Sequence, residues 1–349
     1  MELSAKQKEI VMTDKAEVIV IAAAAAGKTR VLTERIKYLL NQGIDPKKIV
    51  AITFTNAAAE ELLGRVGRPA GLFIGTIHSY ANYLLRSIGV DTSKWLEDED
   101  FDMLFELVKA HPKCIKEVEH LLLDESQDSN MLQFKFLLDM VMPKNYMLVG
   151  DYRQSIYRFA GARPDIILNM CEDPNVTVYD LNENYRNGSN ILQYAKSIIH
   201  LNGYEYDDHS IPMRGVTGKV IEVDYSPRSI ARTIKKYGNY KDWFILTRSN
   251  AQIDEMIEYL RQEGVPFDTF KKAQLKNSEL NKKMKEDTVK VLTVHTAKGL
   301  EAPNVVVIGV KFFNIEEKCV GYVAATRARD LLVWATVRGK QKKNVDNWV

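Results

Sequence analysis

At 349 residues, 46% apolar and 27% charged, the chain is too long for one ordinary core and suits two globular domains of about 100–200 residues each. Its 48 basic and 46 acidic residues leave a formal net charge of +2, which excludes a polybasic nucleic-acid tail and makes any nucleic-acid surface a local one. The scattered Cys114, Cys171 and Cys319 form no CxxC pair, so neither a zinc site nor a disulfide framework is supported and a reducing cytosol fits. The first residues are too charged for a signal peptide, and no apolar run of about 18 residues follows, so a cytoplasmic protein without a membrane partner is expected.

Residues 1–17 suit a short amphipathic helix carrying Gln7. Val18 to Ile21 is a β-branched run of the kind found in buried parallel strands, and Val31 to Leu40 has helical apolar spacing. Between them lie five alanines, Ala22 to Ala26, then Gly27, Lys28 and Thr29. Strand, loop ending in Gly-Lys-Thr, helix is the layout of a phosphate-binding loop, in which N–H groups at a helix start face the anion. Lys28 would bring charge to the β- and γ-phosphates, and Thr29 a hydroxyl for Mg²⁺. The alanines are also strong helix formers, so a buried helix from Ala22 is the alternative.

Lys48 to Phe54 reads as a strand, Ala57 to Val66 as a helix, Leu72 to Ile77 as a strand and His78 to Ile88 as a helix. The acidic cluster Glu97 to Asp102 reads as a solvated face. Leu121 to Leu123 is a strand ending in Asp124-Glu125, and Tyr146 to Val149 another ending in Gly150-Asp151. Alternation of strands and helices predicts a parallel sheet covered on both faces, with its functional loops at the carboxyl ends of the strands. There Asp124 can hold Mg²⁺ while Glu125 orients and deprotonates a water. An acidic turn capping a helix from Met131 would account for Asp128 or Ser129, but not for Asp124 and Glu125.

The first unit is expected to end near residue 178. From 179 a second alternating series follows, with strands at Lys219 to Val223, Trp243 to Leu246, Val289 to Val294, Val305 to Ile308 and Leu331 to Ala335, and helices such as Ile253 to Gln262. The lysine-rich stretch Lys271 to Lys290, with Lys272, Lys276, Lys282, Lys283 and Lys285, reads as a surface linker or short helix able to touch phosphates.

On these blocks the chain resembles the UvrD/Rep/PcrA-like DNA helicases of superfamily 1 along nearly its whole length. Leu3 to Val11 resembles the segment with the adenine-reading glutamine, and Ala22 to Thr29 stands where the family has its phosphate loop. Thr53-Phe54-Thr55-Asn56 resembles motif Ia, Gly75 to Ser79 Ib, Asp124 to Asp128 motif II and Val149 to Ala162 motif III. Leu181 to Leu192 resembles motif IV, Leu292 to Glu301 motif V and Tyr322 to Ala328 motif VI.

The resemblance implies two RecA-like α/β domains, residues 1–178 and 179–349, each a mostly parallel sheet with helices on both faces, in a P-loop NTPase with ATP and Mg²⁺ in the cleft. It assigns nucleotide contacts to Gln7, Ala24, Ala25, Ala26, Gly27, Lys28, Thr29, Arg30, Tyr185 (stacked on adenine) and Glu301 (on the ribose). Catalytic roles fall to Lys28, Asp124, Glu125, Gln154 as γ-phosphate sensor, and Arg186 and Arg327 as arginine fingers. Single-stranded DNA, or its junction with duplex, would meet Phe54, Thr55, Asn56, His78, Tyr157, Phe159 and His295, the aromatics by stacking on bases.

The expected activity is ATP-driven translocation or unwinding, 3′→5′, by a monomer; a nuclease or a replication or repair protein would be a separate partner. The alternative is a degenerate ATP-binding clamp or adaptor with little turnover; a small-molecule kinase would leave motifs III to VI unexplained. Three departures stand out. The family loop carries glycines where this chain has Ala23 or Ala25. The lysine of motif Ia is Ala57, and the arginine before the last Gly-Ala of motif III is Ala160. Residues 87–120 and 271–290 stand where the family inserts accessory domains, which implies a stripped motor core.

Overall fold

The computed structural model describes residues 2–200, 208–270 and 283–336. The chain divides into two compact units, Met1–Leu181 and Asn182–Val349.

The first unit is built on β1 (Glu17–Ala22), β2 (Ile49–Ile52), β3 (Phe73–Gly75), β4 (His120–Leu123), β5 (Asn145–Gly150) and β6 (Thr177–Leu181), in the order β3-β2-β4-β5-β1-β6. Every neighbouring pair is parallel. The period of two along each strand splits the apolar residues between two cores. Ile19, Ile21, Val50 and Leu121 join one, while Val18, Val20, Ala51 and Leu122 join the other. Helix α2 (Lys28–Asn41) buries Val31, Leu32, Ile36 and Leu39 in the second core; α4 (Ile77–Arg86) buries Tyr80 and Leu84 in the first. Both faces are therefore covered, which is why strands such as β1 are apolar almost throughout.

Caps fix where the helices begin. Ser4 starts α1 (Ala5–Met12) in a capping box with Gln7, Thr55 starts α3 (Asn56–Val66), and Thr76 starts α4. The helix at Met131–Phe134 is capped by Asn130 with Gln133, not by Asp128 or Ser129, which belong to the preceding turn. The buried-helix alternative for the alanines fails: Ala22 ends β1 and the helix starts at Lys28. The boundary expected after residue 178 falls inside β6, whose Val18↔Thr177 to Ala22↔Leu181 pairing ties it to β1. Its alternating exposure, that of an edge strand, hid it from a search for apolar runs.

The second unit holds β7 (Glu183–Asn184) and β8 (Ile211–Pro212) as a small ladder. Its main sheet comprises β9 (Lys219–Asp224), β10 (Trp243–Thr247), β11 (Phe267–Thr269), β12 (Val289–Thr293), β13 (Ala302–Ile308) and β14 (Ala328–Thr336), in the order β11-β12-β10-β13-β14-β9, again parallel. Helices Pro227–Tyr237 and Asn250–Gln262 pack Ile230, Ile234, Ile253 and Met256 onto one face with Ile245 and Val306. On the other, Trp334 of β14 meets Tyr194 of helix Ser189–His200. Of the lysine-rich stretch, Lys271, Lys272, Lys276 and Lys282 lie outside the described residues. Lys290 is not on the surface: it is fully buried in β12, where Nζ donates to Asp268 Oδ2 and to the Glu286 carbonyl. Among the described residues no helix is long and apolar enough to cross a membrane.

Candidate functional site

Because the first sheet is parallel, the carboxyl ends of β1, β2, β4 and β5 deliver their loops to one edge. After β1 the chain makes a turn closed by Ala26 N–H on the Ala23 carbonyl, 3.1 Å, whose third residue, Ala25, has φ 60°. That is a position where glycine usually stands, and alanine there costs about 1–2 kcal/mol. Gly27, with φ 87°, then caps α2, so Lys28, Thr29 and Arg30 form its first turn. A Cβ on Gly27 would lie 3.0 Å from Gln7 Nε2. Gln7 is itself buried against the loop, its Nε2 donating to the Ala26 carbonyl at 3.1 Å and its Oε1 accepting from Ser4 N–H.

Lys28 Nζ donates to Glu125 Oε2 at 2.8 Å, uniting the two residues on which the sequence argument turned. Burial alone would lower the lysine pKa; Glu125, Asp124 and Asp151 outweigh it and hold the ammonium above its usual value. Asp124 is buried and its Oδ1 accepts from Glu125 N–H at 2.9 Å. That contact supports the left-handed backbone of Glu125, φ 49°. Two of the non-glycine residues with positive φ, Ala25 and Glu125, thus belong to one cluster.

Beyond β5, Asp151 is fully buried and caps the turn Tyr152–Gln154. Its Oδ1 accepts from Arg153 Nε at 2.6 Å and its Oδ2 from Gln154 Nε2 at 2.8 Å. Gln127, which sequence reasoning passed over, bridges this turn to Glu125. The residues present suit a nucleotide phosphate with Mg²⁺: a half-buried helix start, a charged lysine, and two hard oxygen donors in Thr29 and Asp124.

The aromatic residues expected to meet DNA gather in the same unit. Phe54 and Tyr157 stack on each other, ring centroids 5.1 Å apart and planes 27° apart, and Phe159 lies 6.1 Å from Tyr157. The first pair is already in contact, so it offers outer faces rather than an open slot. Burial, then Asp128 and Glu125, push the Tyr157 hydroxyl up to about 12. Phe159 is 66% exposed. Beside the pair is a cavity of about 250 Å³, lined in part by Thr53, His78, Asn130 and Gln133. His78 stacks on Phe105 at 5.2 Å, and burial holds its pKa below the usual value despite Asp102 at 3.7 Å. Thr55 and Asn56 are exposed at the start of α3.

In the second unit, Arg186 Nε donates to Glu301 Oε2 and its Nη1 to the Thr326 carbonyl at 3.2 Å. Glu301 is also 3.8 Å from Arg329. Arg327 is 2% exposed, its Nε donating to the Val323 carbonyl and its Nη1 to that of Leu300. The Tyr185 hydroxyl donates to Glu183, and His295 is half-buried in the turn after β12. Arg186, Glu301, Arg327 and Tyr185 thus bond to groups of their own unit.

A family model of the UvrD/REP helicase N-terminal domain matches residues 3–109 and 101–175, and one of the UvrD-like helicase C-terminal domain matches residues 179–274 and 268–339. A probable DNA helicase II homolog of Mycoplasma capricolum is 27% identical over 372 aligned positions, covering 76% of this chain and 51% of the relative. DNA helicase II of Escherichia coli is 27% identical with the same coverage, and the ATP-dependent DNA helicase Rep of that organism is 25% identical over 76% of this chain and 55% of its own length. The chain spans about half the length of the curated relatives it matches. The alignments are longer than the part of this chain they cover, so the relatives carry sequence with no counterpart here. With the two models matching each unit in turn, the chain belongs to the UvrD/REP helicase family.

Proposed function

We propose that the protein is a DNA-dependent ATPase that moves along single-stranded DNA, 3′→5′, as a monomer in the cytoplasm. The observation that carries this reading is the meeting of Lys28 with Glu125, beside Asp124, at the start of a helix capped by a left-handed glycine. Lys28 binds the β- and γ-phosphates, Thr29 and Asp124 hold Mg²⁺, and Glu125 accepts a proton from the attacking water. The metal, when bound, supplies positive charge against that developing on the phosphoryl oxygens. Arg186 and Arg327 add positive charge that the transition state needs more than the ground state does. Phe54, Tyr157 and Phe159 give stacking faces for bases, which suits a net charge too small for binding through phosphates alone. Without the accessory insertions, translocation or displacement of bound proteins is favoured over unaided unwinding, and any nuclease or repair protein acts as a partner.

Phosphate release from ATP, measured with and without single-stranded DNA, tests this reading. Turnover that rises on adding DNA supports it. ATP binding without DNA-stimulated turnover would favour the clamp reading, for which the strained Ala25 is the motive.

A further inference from the structure

Gln127 is fully buried, and its side chain joins the ends of two strands. The amide nitrogen donates to Glu125 Oε2 at 2.6 Å, the same oxygen that Lys28 holds. The amide oxygen accepts from Asp151 N–H at 2.9 Å. Asp151 in turn holds Gln154 through its carboxylate, and Ser155 Oγ donates back to the Gln127 carbonyl at 3.2 Å. Glutamine suits this place because one short group both donates to a carboxylate and accepts from a backbone N–H. The neighbouring backbone makes room for it: a Cβ on Gly150 would lie 2.6 Å from Gln127 Oε1 and 2.5 Å from Ser126 Oγ. Glycine at 150 is therefore a condition for the Gln127 bridge, and its absence from the positive-φ residues shows that clearance, not backbone conformation, is what it provides.

We propose that Gln127 is a positioning residue, holding the Glu125 carboxylate for attack and tying it to the Asp151–Gln154 turn. This rests on the hydrolytic reading above. Lys28 must serve the phosphates during turnover, so its hold on Glu125 is the one a nucleotide competes for; Gln127 is the tether that persists. The turn it reaches continues into Tyr157 and Phe159, so Gln127 connects the base for hydrolysis with the aromatic loop.

Gln127→Glu separates the two halves of the bridge, since it keeps an acceptor for Asp151 N–H and replaces the donor facing Glu125 by a like charge. With saturating single-stranded DNA, its kcat for ATP should fall roughly 10²-fold, the scale of a misplaced catalytic group. KM for ATP should move by less than about threefold, because the phosphate contacts are untouched. The ratio of DNA-stimulated to DNA-free turnover should fall towards one. Gly150→Ala, which alters no residue that meets a reactant, should lower kcat in the same direction, and it carries the test if Gln127→Glu does not fold. In a Glu125→Gln background, adding Gln127→Glu should cost nothing further. A folded Gln127→Glu protein whose kcat and DNA stimulation stay within about twofold of the parent overturns the inference, as does a loss in KM alone. If Glu125→Gln itself turns over normally, the hydrolytic reading fails first, and the two failures are told apart.

Discussion

The two units hold their expected functional residues differently. In the first, side chains bond Lys28 to Glu125, Glu125 to Gln127 and Asp151 to Gln154, and the Asp151 backbone N–H donates to Gln127 to join them. In the second, Arg186 is engaged by Glu301, and Arg327 by backbone carbonyls of its own unit. A network of side chains aimed at one another forms a site prepared before anything binds, because each member is oriented by the next. An arginine bonded within its own fold must exchange or share those bonds to act on a phosphate. The contrast suggests a division of labour, with nucleotide affinity residing in the first unit and the second acting mainly on the barrier.

Removing an arginine tests that division with the largest effect. Arg186→Ala or Arg327→Ala is expected to lower ATP turnover by about 10³–10⁵-fold, the range for an arginine finger, with a much smaller change in ATP affinity. Steady-state kinetics with a thermal melt on each variant decides the matter. A loss confined to KM, or a second unit that melts without Arg327, would make these structural or ground-state arginines and dissolve the contrast.

Glu125→Gln acts on the first unit's side of the comparison. Hydrolysis should fall about 10²–10⁴-fold, the usual contribution of a general base, while ATP and DNA binding persist. Asp124 and Thr29 are unchanged, and Lys28 loses a competitor for the phosphates. Nucleotide-binding titrations alongside turnover would show affinity equal to or above that of the parent. Weakened binding would mean that the Lys28–Glu125 pair holds the loop together rather than awaiting a nucleotide.

Within the first unit, Phe159 differs from Phe54 and Tyr157, which already stack on each other. Its 66% exposure makes it the ring whose removal costs the fold least. Phe159→Ala should weaken single-strand binding by about 1–3 kcal/mol, and raising salt should weaken binding only modestly. An unchanged Kd, or a lowered Tm, would assign the ring to packing instead.

What was legible in the sequence was local. A β-branched run before Gly27-Lys28-Thr29, and three leucines before Asp124-Glu125, announce strand ends whose chemistry sits in adjacent residues. Gln127 and Gly150 carry no such signal; their relation exists only because β4 and β5 lie side by side in the Leu123↔Leu148 register. The Arg186–Glu301 pair spans 115 positions and is invisible for the same reason. Helix Ile315–Ala325 escaped notice because it is buried nearly all round, Glu317 and Lys318 included, so no polar face marks a helical period. The first unit's chemistry could thus be read along the chain, whereas the contacts restraining the second unit's arginines could not.

The smallest effect concerns Ala25, where the first unit is prepared yet strained. A phosphate loop works by letting backbone N–H groups approach an anion, and a left-handed residue in it favours glycine because glycine alone meets no steric cost there. Ala25 adopts φ 60° all the same, against a cost of about 1–2 kcal/mol. If the loop relaxes when no nucleotide holds it, that cost falls on binding, and Ala25→Gly should tighten ATP by up to about tenfold with little change in kcat. If the fold holds Ala25 in place throughout, the same substitution should leave Kd alone and change the melting temperature instead. The half-buried position of Ala25, against the full burial of Ala22, Ala23 and Ala26, leaves room for relaxation and favours the first outcome. Measuring Kd and Tm on this one variant therefore shows whether the loop is rigid before ATP arrives, and a gain in Tm with no gain in affinity would overturn the expectation.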